Sequence, residues 1–109
     1  MSFNVQTIKT FDKELKRLAK KYPSLKQEYG YLIDSLAENP FQGNRLIENC
    51  FKLRLAIKSK STGKSGGARV IINVVIVKRV VFLLAIYDKS EKENITDNEI
   101  KELIKKINI

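Results

Sequence analysis

The sequence predicts a single α+β domain, with an N-terminal strand and a helical hairpin packed on a largely antiparallel four-stranded sheet, and a C-terminal helix. Three observations carry that reading. Apolar residues recur at helical spacing on both sides of Pro23; two runs rich in Val and Ile, Ala68–Val77 and Val80–Tyr87, follow one another; and Phe51–Lys58 alternates between the two faces of a strand. At 109 residues the chain is long enough for one core and too short for two, so residues 1–109 form one domain.

Taken in order, Phe3–Lys9 alternates in part and reads as the first strand. Thr10 is placed to cap a helix whose stripe is Phe11, Leu15, Leu18, Ala19 and Tyr22, with Lys13, Lys16, Arg17, Lys20 and Lys21 on its solvated side. Pro23 ends it, and Ser24 with Gln27 reads as a capping box for a second helix on Leu25, Tyr29, Leu32, Ile33, Leu36 and Ala37. So short a connection implies an antiparallel hairpin. Asn39-Pro40 stops the second helix, Phe41–Asn44 turns toward the sheet, and Arg45–Asn49 is expected to be irregular.

In the strand that follows, Phe51, Leu53, Leu55 and Ile57 face a core while Lys52, Arg54, Ala56 and Lys58 face outward, the cation heads starting roughly 7 Å apart. Ser59–Gly67 is a loop on composition. The two runs beyond it, joined at Lys78-Arg79, are almost continuously apolar, as central strands covered on both faces would be. After the polar segment Tyr87–Asn94, Thr96 and Glu99 form a capping box for a terminal helix with the stripe Ile100, Leu103, Ile104 and Ile107.

Charge sets the class of partner. Lys plus Arg number 21 against 12 Asp plus Glu, a net charge of +9, which favours nucleic acid, an anionic membrane or an acidic protein as partner. The cations run from Lys52 and Arg54 through Lys58, Lys60 and Lys64 to Arg69, with Gly63, Gly66 and Gly67 allowing the backbone to bend toward a phosphate chain. Equally, outward Lys and Arg keep an edge strand soluble. Neither apolar run approaches the roughly 20 residues of a spanning helix, so a membrane is not an expected partner. The single Cys50 and the absence of a signal-like apolar start fit a reducing cytoplasm, with Cys50 a buried structural residue.

The chain contains no histidine, which removes the usual general base of hydrolases, the Cys-His pair and a zinc site. No Asp or Glu pair has the spacing of a two-metal centre, so neither metal nor cofactor is expected. Gly63-Lys64-Ser65 fails as a phosphate-binding P-loop, because the motif's first glycine would fall on Lys58 and a strand follows instead of a helix. What remains is a site of Lys, Arg and Tyr. RNA brings its own nucleophile, the 2′-hydroxyl, so clustered cations that orient it and stabilise the phosphate can cleave without metal. Crowding lowers a lysine's affinity for its proton, which would let one act as base while Arg holds the phosphate through two hydrogen bonds.

The stretches KLRLAIKSKSTGKSGGARVIINVVIV and VVFLLAIYDKSEKENITDNEIKELI resemble the RelE/ParE toxin superfamily, in its RelE-like branch. The resemblance implies the toxin of a type II toxin-antitoxin pair, an endoribonuclease that cuts mRNA in the ribosomal A site and so inhibits translation. Its implied partners are the ribosome, mRNA and a cognate antitoxin, which would cover the basic surface or displace the C-terminal helix in a hetero-oligomer. By position the implied catalytic residues are Lys58, Lys60, Arg69 and Lys89; Lys52, Arg54, Lys64, Tyr87 and Lys92, around them in the chain, are the expected RNA contacts. The family's C-terminal tyrosine falls on Ile95, Tyr87 being the aromatic that could replace it, and Lys89 stands where arginine is familiar. Two other readings stay open: a ParE-like toxin that binds DNA gyrase, and a non-catalytic RNA- or ribosome-binding protein.

Overall fold

A computed structural model of the chain describes residues 2–60 and 66–107. Its elements are β1 (Asn4–Thr7), α1 (Lys9–Lys21), α2 (Leu25–Glu38), β2 (Asn44–Arg45), β3 (Cys50–Leu55), a 3-10 turn at Lys58–Lys60, β4 (Ala68–Val75), β5 (Val80–Asp88) and α3 (Asp97–Ile104). The α+β class holds. The sheet has five strands instead of the expected four, in the order β1-β5-β4-β3-β2, with β1 parallel to β5 and every other pair antiparallel. The extra strand is β2, two exposed residues inside the stretch expected to be turn and irregular chain.

Amphipathic spacing explains the helices. Phe11 and Leu18 of α1 and Leu25 and Leu36 of α2 are completely buried, each stabilising the fold by roughly 1.5–3 kcal/mol. The two helices meet through Phe11 and Tyr29, whose rings lie 5.9 Å apart. They cover the sheet face formed by Phe51, Leu53, Ala68, Val70, Ile72, Leu83 and Ile86, all buried. A register shift between Ile71 and Ile72, with Leu84 as the extra residue on β5, keeps apolar side chains on that face along both strands. As expected, β4 and β5 occupy the centre of the sheet. β4 ends sooner than its apolar run, because Ile76 and Val77 lie in the connecting turn, 58% and 91% exposed, while β5 runs the length of its own and one residue further, to Asp88. Cys50 is buried.

Two of the three expected caps are replaced by other contacts. α1 begins at Lys9 with Ile8 as its N-cap, and Thr10 instead accepts a hydrogen bond from Lys106 Nζ at 3.1 Å. Ser24 has helical backbone angles (φ −71, ψ −16), so its hydroxyl cannot cap α2. It donates to Glu28 Oε1 at 3.1 Å and accepts from the Ser59 N–H at 3.0 Å. The Thr96–Glu99 box at the start of α3 is present in both directions, 3.1 and 3.0 Å. Thr96→Ala should therefore destabilise the domain by about 1 kcal/mol, read as a lower urea midpoint with an unchanged slope. No helix among the described residues is long and apolar enough to cross a membrane.

Candidate nucleic-acid interface

Alternation along three antiparallel strands turns separate cations into rows. Arg54 on β3, Arg69 on β4 and Tyr87 on β5 are successive cross-strand partners, so they share the sheet face away from α1 and α2. One step along the same face lie Asn44, Lys52, Ile71 and Ala85. The ladder runs one pair past the strand ends, because the Lys89 N–H donates to the Gly67 carbonyl at 3.0 Å, and alternation puts Lys89 on the same side as Arg69. Gly67 is required there. A Cβ at this position would lie 2.2 Å from the Leu55 carbonyl oxygen, closer than β3 and β4 could tolerate.

Burial grades this row. Arg54 is exposed, while Arg69 is only 4% exposed and donates from Nη1 to the Ala68 carbonyl at 3.2 Å. Two arginines directly opposite one another form a like-charge pair, which on a sheet is normally destabilising. Above the row passes the segment that follows β5. Lys52 Nζ donates to Asn94 Oδ1 at 3.4 Å, and Lys92 Nζ lies 5.9 Å from the centre of the Tyr87 ring while pairing with Glu99 of α3. Hydrogen bonding to Lys92 is the main cause holding the Glu99 carboxyl below its usual range.

Tyr87 is thus covered instead of presented. It is 6% exposed, its hydroxyl is buried with no hydrogen-bond partner among the described residues, and burial pushes that hydroxyl's pKa up. Ile95, where the resemblance implies the tyrosine would fall, lines with Tyr87, Ala85, Lys92 and Leu103 a largely apolar cavity of about 450 Å³ beneath α3. Neither side chain offers an open aromatic face for stacking a base while α3 is seated.

Of the two lysines expected at the centre of the site, Lys60 is drawn to the other face of the sheet and Lys58 sits on a turn beyond the end of β3. The 3-10 turn carrying Lys58 and Lys60 docks on α2: the Lys58 N–H donates to Glu28 Oε2 at 2.7 Å, and the Ser24 N–H donates to Ser59 Oγ at 2.8 Å. Lys58 is exposed at this turn. Lys60 Nζ pairs with Asp88 Oδ1, donates to the Gly66 carbonyl at 2.8 Å and sits 5.6 Å from the Tyr22 ring centre. Asp88 is a cross-strand partner of Ala68, on the α1/α2 face, and accepts from the Tyr22 hydroxyl at 2.6 Å and from the Ser90 N–H and hydroxyl at 2.9 and 2.8 Å. Burial alone would push the Asp88 carboxyl up; the bonds from Lys60, Tyr22 and Ser90 outweigh it and hold the group well below the usual carboxylate range.

Of the four expected catalytic residues, then, Arg69 and Lys89 share the sheet face, Lys60 is sequestered behind it, and Lys58 belongs to the turn docked on α2. Among the expected RNA contacts, Lys52, Arg54 and Lys92 gather over that face with the buried Tyr87, and Lys64 lies outside the described residues. Asp88 had no place in the expected site. Its signal in the sequence is an acid directly ending an apolar run, where an unpaired charge would be costly. No cluster of side chains suited to a metal ion occurs among the described residues.

Known structures share this architecture. The chain is similar to a double-mutant Escherichia coli toxin RelE in the free state, with 20% identity over 98% of this chain and 99% of that one and a TM-score of 0.65. It is similar to a chain of the intact E. coli RelBE toxin-antitoxin complex, with 22% identity, 80% and 96% coverage and a TM-score of 0.58. A chain of the RelBE2 toxin-antitoxin complex from Mycobacterium tuberculosis matches with 15% identity, 81% and 92% coverage and a TM-score of 0.59. At these identities the likeness is one of fold. The family model described as the RelE toxin of the RelE/RelB toxin-antitoxin system matches residues 8–108, and the chain belongs to that family.

Proposed function

We propose that this protein is a toxin that cleaves mRNA on the ribosome by metal-free attack of the 2′-hydroxyl, and that a cognate antitoxin restrains it by covering the same face. The observation that carries the reading is the row Arg54–Arg69 across β3 and β4, flanked by Lys52 and Lys89. Cations at that spacing suit consecutive phosphates of a strand laid across the sheet. Holding two like charges face to face is unfavourable for the free protein and becomes favourable once a phosphate lies between them.

The chemistry divides among these side chains. Arg69, 4% exposed in the free protein, meets the charge that develops on the phosphoryl oxygens once RNA displaces the segment after β5 that lies over the row, and Arg54 binds the same or the adjoining phosphate. The 2′-oxygen bonds to phosphorus as the bond to the 5′-oxygen breaks, leaving a 2′,3′-cyclic phosphate and a 5′-hydroxyl. The proton leaving the 2′-hydroxyl goes to an amine of this face, and the departing 5′-oxygen takes one up; we assign these transfers to Lys52 and Lys89, the two amines flanking the row. Lys60 has no part in this scheme, since its ammonium is committed to Asp88.

The test is cleavage of a ribosome-bound mRNA, with product ends mapped. Cyclic phosphate and 5′-hydroxyl ends, formed equally with a chelator present and abolished by one 2′-deoxy nucleotide at the cut site, are expected. Intact RNA with inhibited gyrase would overturn this reading in favour of the ParE-like one, and salt-sensitive RNA binding without products would leave a binding protein.

A further inference from the structure

At the edge of the sheet the phosphate row borders a cavity whose amides phosphate binding does not use. β2 is only Asn44–Arg45, pairing with Phe51 and Lys52, so the outer edge of β3 opens beyond it. The opening is a polar cavity of about 470 Å³ lined by Gln42, Gly43, Asn44, Lys52, Leu53 and Arg54. Gly43 shapes it. Its φ is +86, and a Cβ there would lie 2.3 Å from the Lys52 carbonyl oxygen, so a side chain at this position is ruled out.

The cavity holds two amides, and one is already spent. Gln42 Nε2 donates to the Asn39 carbonyl at 2.7 Å and to the Ser35 hydroxyl at 2.8 Å, tying it to the end of α2. Asn44 is exposed, lies directly across from Lys52, and its side chain makes no hydrogen bond among the described residues. Directly opposite residues have Cβ atoms roughly 4.5–5.5 Å apart, so a nucleotide whose phosphate rests on Lys52 or Arg54 can bring its base to Asn44.

On the reading of this protein as an RNA-cleaving toxin, we infer that Asn44 reads a base beside the scissile phosphate and favours adenine. An amide offers one donor and one acceptor side by side, matching the N6 amino group and N7 of adenine. Unstacked bases of single-stranded RNA expose these edges. Phosphate contacts set where the strand runs; Asn44 sets which nucleotide is cut.

The test uses the whole protein and a panel of ribosome-bound mRNAs identical except for A, C, G or U at each of the positions flanking the cut. At one position the wild type should prefer adenine by about tenfold, within the range of one bidentate contact. Asn44→Ala should flatten the adenine-to-other ratio at that position. Asn44→Asp, an acceptor only, should move the preference toward cytosine with its N4 amino donor. A ratio that switches with the chemistry of the side chain is not produced by a merely structural role. Wild-type cleavage without base preference, or wild-type ratios in both variants, would overturn the inference and leave the nuclease reading intact. A wild type that cuts none of the panel would overturn both.

Discussion

Replacing Asp88 by Ala is expected to destabilise the domain by roughly 3–5 kcal/mol, because it leaves the Lys60 ammonium and the Tyr22 hydroxyl without their shared acceptor. The side chain of Asp88 is fully buried and that of Lys60 is 11% exposed, so water offers little compensation. Against a total stability of about 5–15 kcal/mol for a domain, this is enough to leave the variant barely folded. Urea unfolding checks it. Lys60→Met should also destabilise, and the double variant Asp88→Ala/Lys60→Met should be less destabilised than the two single changes added together, since neither then leaves a buried charge alone. The same double variant asks whether Lys60 is structural: once folded, it should cleave RNA as the wild type does, whereas a catalytic Lys60 would leave it inactive.

The acid side of the stability profile follows from the same group. A carboxyl whose folded pKa is depressed stabilises the fold at pH values above its ordinary value of 3.8, and that contribution drains away as pH falls through 3.8 toward the lower folded value. The wild type should therefore lose stability progressively below about pH 4, and Asp88→Asn should flatten that part of the curve. A variant with the wild-type acid slope would place the acid sensitivity on other carboxylates.

These two residues also mark where the sequence stops being legible. Helix stripes, the central strands and the Thr96–Glu99 box are local patterns, and local patterns are what a sequence displays. Lys60 and Asp88 are separated by 28 positions, and nothing near Lys60 distinguishes it from the outward cations before it. Period-two alternation carries Ile57 inward as expected, but the chain then turns into the 3-10 segment anchored on Glu28 and Ser24, and strand parity ends there. β2 was illegible for a different reason: its two residues are exposed, so no apolar rhythm announces it. The sharing of one face by Arg54, Arg69 and Tyr87 depends on the register set across the segment between β3 and β4, which composition does not encode. The candidate site is legible in the sequence as an excess of cations; which of them share one face of the sheet is decided by the pairing.

Arg69→Ala is expected to lower RNA cleavage by about 10²–10³-fold, the loss typical of removing one donor that meets transition-state charge in a site shielded from water. The expectation follows from position. Arg69 is almost buried and fixed in the middle of the sheet, so it is aligned before substrate arrives, whereas Arg54 at the exposed end of the same pair must be ordered by it. Arg54→Ala should accordingly cost less in rate and more in salt-dependent binding. Arg69→Lys separates charge from shape: it keeps the positive charge but lacks the planar fork, and it should fall between wild type and Ala. Because Arg69 faces Arg54, its truncation also relieves a like-charge pair, so the Ala variant can be folded and inactive at once. Circular dichroism and single-turnover cleavage measured on the same sample decide the matter; a folded Arg69→Ala that cuts within a few-fold of wild type would remove Arg69 from the mechanism and leave the row as a binding surface.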